Sequence, residues 1–150
     1  MPGELWFYHL EQSSVDEVLP ELIEKTLSRG WRALVRSPDG ERLKALDQLL
    51  WTWRDDSFTP HGLAGQGHED KQPVLLCEGP DNLNDAQCLF LLDRAQPDGF
   101  DGFERTIVMF DGHDESAVVA ARGLWKQAST AGAAVSYWRQ SEAGRWEKKA

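Results

Sequence analysis

The run Cys88-Leu89-Phe90-Leu91-Leu92 is apolar throughout, and Arg105-Thr106-Ile107-Val108-Met109-Phe110 follows it with the same character. A turn-rich link at 81–85 precedes the first run, and a loop at 96–102 separates the two. Strands buried on both faces of a parallel sheet have this continuous apolar pattern, whereas strands with one wet face alternate apolar and polar residues. The two runs therefore predict central strands of a parallel sheet.

Strand-like and helix-like segments alternate on both sides of these runs. We expect further strands at 4–10, 31–36, 73–77 and 133–138. We expect one helix from a cap at Ser13 or Ser14 to Gly30, one over 43–51, and one from a cap at Asp114 to about Gly132. This alternation predicts the α/β class, as a single-domain Rossmann-like, mostly parallel sheet with helices on both faces. The domain is expected to span 1–150, with 52–72 irregular and 139–150 a basic, polar C-terminal tail.

Composition excludes several classes of protein. Apolar residues make up 41% of the 150 residues, which is enough for a packed core. No apolar run approaches the roughly 20 residues of a membrane helix, and the first residues do not resemble a signal peptide. The two cysteines, Cys77 and Cys88, lie in strand-like segments without metal-ligand spacing, which indicates buried thiols and a cytoplasmic protein.

The charge reverses near the C-terminus. Residues 122–150 contain six basic and two acidic residues, a net +4, and since the whole chain is at -9, residues 1–121 carry -13. A small basic region on an acidic body suits a short acidic ligand and suits a nucleic-acid backbone poorly. We therefore expect no direct binding of nucleic acid.

The helix after Asp114 places part of this basic region beside an aromatic residue. At 100° per residue, four small or apolar residues share one face, expected to be the core face: Ala117, Ala121, Leu124 and Ala128. Arg122 and Lys126, one turn apart, share another face, and Trp125 falls between the two. A carboxylate could pair with either cation while an apolar side chain packs on the indole. The alternative is that Trp125 is a core residue and the cations are only solvated.

Two other features of the sequence are candidate functional sites. Trp51, Trp53 and Phe58 are three large aromatic residues in an irregular segment. They lie either under the sheet or on a surface that contacts a partner.

The strand end at Asp111–Asp114 contains His113, where a small nucleotide-binding domain or enzyme would have a general base. Its alternative role is a residue at the start of a helix.

Signatures of cofactor and metal sites are weak. The glycines at 62–67 are spaced GxxGxG rather than as a dinucleotide fingerprint. His61 and His68 share a loop with acidic residues, but their spacing matches no standard ligand set. We expect no cofactor and no metal.

The chain resembles the chi subunits of bacterial DNA polymerase III along nearly its whole length. One matching piece is Leu49–Gly62, and its most specific part is Trp51–Gly62, with its order of aromatic, acidic and Ser-Phe-Thr-Pro-His residues. The other matching pieces are Leu5–Leu10, Phe103–Arg105 leading to Phe110–Gly112, Ala121–Lys126, and Tyr137-Trp138.

The resemblance implies a noncatalytic adaptor of the clamp-loader assembly that binds the acidic, phenylalanine-ended C-terminal tail of the single-stranded-DNA-binding protein. The matching tail-binding positions are Arg122, Trp125 and Lys126. Ser129 stands where a further cation can occur in the family, and Asp111-Gly112 replaces a more apolar pair. Both differences imply weaker binding of an acidic tail.

The family's second surface contacts the psi subunit, and its matching positions are Trp51 and Phe58. Not every bacterial lineage with chi has psi. The resemblance therefore leaves three alternatives: contact with psi, direct contact with the clamp loader, or binding of the tail alone.

Overall fold

The computed structural model describes residues 3–52, 61–63, 72–79, 82–95, 97, 102–140 and 146–149, with the backbone alone for 51 and 52. The eleven described elements are β1 (Glu4–Leu10), α1 (Val15–Ser28), β2 (Ala33–Arg36), α2 (Gly40–Thr52), β3 (Gly62–Leu63), β4 (Val74–Cys77), β5 (Cys88–Leu91), β6 (Arg105–Asp111), α3 (Glu115–Thr130), β7 (Val135–Gln140) and β8 (Trp146–Lys148).

The described strands form one sheet in the order β3-β4-β2-β5-β6-β1-β7-β8. Every pair is parallel except β7 with β8. The α/β class and the mostly parallel, Rossmann-like sheet are thereby confirmed. The apolar runs that predicted central strands form β5 and β6, which pair with each other at the middle of the sheet.

Helices cover both faces of the sheet. The core under α1 and α2 contains Val18, Ile23, Leu46 and the strand residues that alternate toward them, such as Phe90. The opposite core lies under α3 and contains Phe7, Val108 and the predicted alanine-rich face of the helix. Both cysteines are buried in separate strands, and neither forms a disulfide bond.

Helix starts agree with their capping residues. Ser14 caps α1 and exchanges hydrogen bonds with Glu17, and the Asp114 carboxylate accepts the Ser116 and Ala117 N–H groups at the start of α3. These bonds satisfy amide groups that have no partner within a helix. Asp114 therefore fixes where the proposed site helix begins.

The C-terminal segment differs from its prediction as a polar tail over 139–150. Arg139 and Gln140 complete β7, and residues 146–148 form β8, which pairs antiparallel with β7. Trp146 contacts the Tyr8 ring edge-on at 4.8 Å, so part of this polar segment adds an aromatic side chain to the core. Likewise, the short strand β3 lies within the segment expected to be irregular.

Candidate functional site

The helix α3 lies close to the sheet because its inward face is made mostly of alanine. Ala117, Ala121, Leu124 and Ala128 are all buried, as their spacing predicts. Arg122 and Lys126 are exposed, and Trp125 is partly buried between the two faces. The structure therefore brings the three predicted residues together on one flank of the helix.

Trp125 is held by two aromatic neighbours from the sheet. Its ring lies 5.4 Å from Phe7 of β1 and 5.9 Å from Tyr137 of β7, in the second case edge to face. Tilted and edge-to-face pairs at these distances are favourable, so the indole has a defined orientation. One part of the ring belongs to the core, and the rest stands beside two exposed cations.

A chain of polar contacts runs behind this aromatic cluster, with Tyr137 at one end. The Tyr137 hydroxyl and Nδ1 of His9 form a hydrogen bond at 2.5 Å, and Nε2 of His9 lies 3.1 Å from the Glu11 carboxylate. That carboxylate pairs with the guanidinium of Arg139 at 2.6 Å. Residues from β1 and β7 are thereby connected at the carboxyl end of the sheet.

Burial and nearby charges shift the pKa values of His9, Glu11 and Tyr137, which form this series of polar contacts. Burial lowers the pKa of His9, and the cations Arg139 and Arg122 lower it further, whereas Glu11 raises it. Burial raises the pKa of Tyr137, with Arg122 acting in the opposite direction. The hydrogen bond from Arg139 lowers the pKa of Glu11. The charge of Arg122 therefore lowers the pKa of both His9 and Tyr137.

A concave region lies at the carboxyl ends of the central strands, where ligands of α/β folds usually bind. It is a crevice of about 510 Å³ that contains the strand end Asp111–Asp114. Arg42 spans it, 2.9 Å from Asp16 and 3.7 Å from Asp93. Its lining holds more carboxylates than guanidinium groups, which is unfavourable for a nucleotide phosphate.

The turn after β1, where many nucleotide-binding folds hold a phosphate, is occupied by the protein itself. The N–H groups of Glu11, Gln12 and Ser13 all donate to Oε1 of Gln140, at 3.0–3.1 Å. Three converging N–H groups form the kind of nest that binds anions, and here the nest contains a side-chain amide oxygen. This arrangement disfavours the nucleotide-binding alternative.

His113 makes the contacts of a residue at the start of a helix. Its backbone N–H donates to the Asp111 carboxylate at 2.9 Å, and its Nε2 donates to the Glu11 carbonyl at 2.9 Å. The neighbouring Asp114 is engaged as the α3 cap. These side chains hold the turn between β6 and α3.

The remaining predicted residues fall partly outside the described structure. Phe58 lies outside the described residues, and Trp51 is described only as backbone within α2. His68 also lies outside, while His61 is buried with Nε2 3.1 Å from Asp47. Among the described residues, no three His, Cys, Asp or Glu side chains are grouped to hold a metal ion. In the same residues, no helix is long and apolar enough to cross a membrane.

Comparison with known proteins identifies the family. The sequence model described as "DNA polymerase III chi subunit, HolC" matches residues 2–136. The chain belongs to the DNA polymerase III chi subunit family. The resemblance noted from the sequence is thereby confirmed, and membership supports an accessory role in the replisome.

Individual chi relatives are distant. The DNA polymerase III subunit chi of Escherichia coli (strain K12) is 26% identical over 120 residues, covering 80% of this chain and 82% of the relative. The protein of that name from Haemophilus influenzae (strain ATCC 51907 / DSM 11121 / KW20 / Rd) is 26% identical over 125 residues, covering 81% and 86%. A probable subunit chi of Rickettsia prowazekii (strain Madrid E) is 26% identical over 85 residues, covering 57% and 52%.

Tyr137 is the neighbour of Trp125 that the sequence did not single out as a site residue. It lies just beyond the chi family match, which ends at residue 136. The sequence placed Tyr137 in a strand but did not assign it to a face. The alternation of Val135, Tyr137 and Arg139 along β7 was the available signal, because side chains two apart share one face of a strand.

Proposed function

We propose that the chain is a noncatalytic replisome adaptor that binds the acidic C-terminal tail of the single-stranded-DNA-binding protein. Arg122, Trp125 and Lys126 are the proposed contacts. The observation that carries the proposal is the geometry of α3, where two exposed cations flank a partly buried indole on an acidic protein. An acidic peptide that ends in phenylalanine complements both parts of this site. A replisome adaptor acts in the cytoplasm, so the proposal includes a cytoplasmic location.

Each part of the tail has a partner in this arrangement. A carboxylate pairs with Arg122 or Lys126, and a terminal aromatic ring packs on the accessible part of Trp125. Peptides recognised in this way bind in the micromolar range, about -8 kcal/mol. Removing one charge-assisted contact costs roughly 1.5–3 kcal/mol, a tenfold to hundredfold loss of affinity.

The proposal is tested by fluorescence anisotropy with a labelled Asp-Asp-Asp-Ile-Pro-Phe peptide. We expect saturable binding that weakens with added salt and is lost in Arg122→Ala or Lys126→Ala. Lys25→Ala is the matched control, since Lys25 is also an exposed helical lysine but lies in α1, on the opposite face of the sheet. Removal of the terminal phenylalanine from the peptide should also abolish binding. Unchanged affinity in both site variants would rule out the assigned pocket.

We further propose that the adaptor links the tail to the clamp-loader assembly, through psi or directly, using Trp51 and Phe58. The support is the resemblance of the Leu49–Gly62 stretch to the family. The test is co-purification of clamp-loader subunits with the wild type, Trp51→Ala and Phe58→Ala. Retention of the subunits by both variants, with intact folding, would exclude this surface.

A further inference from the structure

Tyr137 lies beside Trp125 of the proposed tail site. Its ring lies edge-on to Trp125 at 5.9 Å and 6.1 Å from Phe110, and the residue is partly buried. The side chain therefore stands between the sheet and the flank of α3 that carries Arg122. A peptide seated on Trp125 would lie next to Tyr137.

The Tyr137 hydroxyl is committed to His9 while the imidazole is neutral. Nε2 of His9 faces the Glu11 carboxylate, which can only accept, so Nε2 carries the ring proton. Nδ1 then accepts, and the Tyr137 hydroxyl donates to it. In this state the single hydroxyl proton is not available to a ligand.

Protonation of His9 reverses that bond. A proton taken from solvent onto Nδ1 makes both ring nitrogens donors. Nδ1 then donates to the Tyr137 oxygen, and the hydroxyl proton turns away from the imidazole. The hydroxyl can then donate to another acceptor.

We propose that Tyr137 is a further specificity-determining residue of the tail pocket, and that proton uptake by His9 makes its hydroxyl a donor to the peptide carboxylate held by Arg122. This inference rests on the proposed tail-binding function. It adds a hydrogen-bond donor for a carboxylate and couples binding to a proton.

The charges that face His9 determine the direction of the coupling. Glu11 approaches from the end of β1, Arg139 from β7 and Arg122 from α3, while His113 acts on Glu11 from the turn before α3. Arg122 lowers the pKa of His9 in the free protein. A carboxylate bound to Arg122 offsets that effect, so the bound protein takes up a proton more readily and the affinity rises as the pH falls.

The test measures peptide affinity by anisotropy between about pH 8 and about pH 5.5, where the peptide aspartates remain ionised. The quantity compared is the gain in affinity of each protein between about pH 8 and about pH 5.5. We expect this gain to be about three- to tenfold larger in the wild type than in His9→Gln. Tyr137→Phe, which keeps the ring and loses the hydroxyl, should also lose this gain. Tyr8→Phe is the matched control, since Tyr8 is buried on the opposite face of β1, and it should keep the gain.

A second measurement on the wild type alone protects the test against misfolded variants. Calorimetric titration of the same peptide near pH 6.5, in two buffers of different ionisation enthalpy, should show net proton uptake. Absence of uptake, or the same pH dependence in wild type, His9→Gln and Tyr137→Phe, would overturn the inference and leave tail binding intact. Absence of wild-type binding at every pH would instead refute the proposed function, and this inference with it.

Discussion

Substitution of Gln140 by leucine removes the acceptor from the turn after β1. The side chain is 4% exposed, and its Oε1 accepts three backbone N–H groups, from residues 11–13. Leucine has a similar size but no polar atom, so all three donors lose their partner. The substitution therefore tests whether this long-range cap stabilises the fold.

The number of donors determines the expected magnitude. A buried N–H group left without an acceptor costs about 1–3 kcal/mol, and the lower value applies where water can enter a partly exposed turn. Three donors at about 1 kcal/mol each predict a loss of about 3 kcal/mol from the free energy of unfolding. Since small domains are stable by about 5–15 kcal/mol, this loss is readily measured.

Gln87→Leu provides a matched control for this prediction. Oε1 of Gln87 accepts one backbone N–H, from Arg32 at 2.8 Å, and its amide nitrogen donates once, as that of Gln140 does. Urea titration should show a loss of about 1 kcal/mol for Gln87→Leu, a third of that for Gln140→Leu. Equal losses in the two variants would refute the argument that three converging donors act together.

Two further predictions concern the neighbourhood of His9. Gly112→Ala should destabilise the protein by about 1–3 kcal/mol in urea titration, because the added Cβ would overlap the His9 ring and lie 2.9 Å from the Leu10 carbonyl. Gly123→Ala is the control: this glycine lies inside α3 with open space around it, and its replacement should stabilise the protein by about 0.5–1 kcal/mol. If Gly112→Ala were the more stable variant, this description of the packing would be wrong. The pKa of His9 lies below its usual 6.5 in the folded protein, so the folded state prefers the neutral ring, and the free energy of unfolding should fall as the pH drops below 6.5 toward the lower folded pKa. His9→Gln should lack this part of the pH dependence, and an identical profile in both proteins would show that His9 does not contribute.

The elements of the fold were largely predictable because their signals are local. Continuous apolar runs predicted β5 and β6. The sequence offered Ser13 or Ser14 as the cap of α1, of which the structure uses Ser14, and it offered Asp114 as the cap of α3. The order of the strands was not predictable in this way, since β1 pairs with β6 and β7, both distant in sequence. The three-residue strand β8 was missed because its polar residues form a strand only by pairing with β7.

The candidate site shows the same division. Helical spacing placed Arg122, Trp125 and Lys126 on one flank of α3, as the structure has them. The contact of Trp125 with Tyr137 joins a helix to a strand, and the bond from Tyr137 to His9 spans 128 residues. Alternation along β7 can assign Tyr137 to a face of its strand, but no periodic pattern encodes which residues of other elements that face contacts, so the contacts with Trp125 and His9 appeared only with the tertiary structure.

The bonds from the turn after β1 to Gln140 also limit when this turn can fold during protein synthesis. They join residues 127–129 positions apart, so the turn cannot complete its hydrogen bonds until Gln140 has been translated. At roughly 5–20 residues per second, the N-terminal strand waits about 6–25 s for this partner. During that interval the N–H groups of residues 11–13 lack the acceptor that Gln140 supplies in the folded protein, so this turn is among the last parts of the fold to be completed.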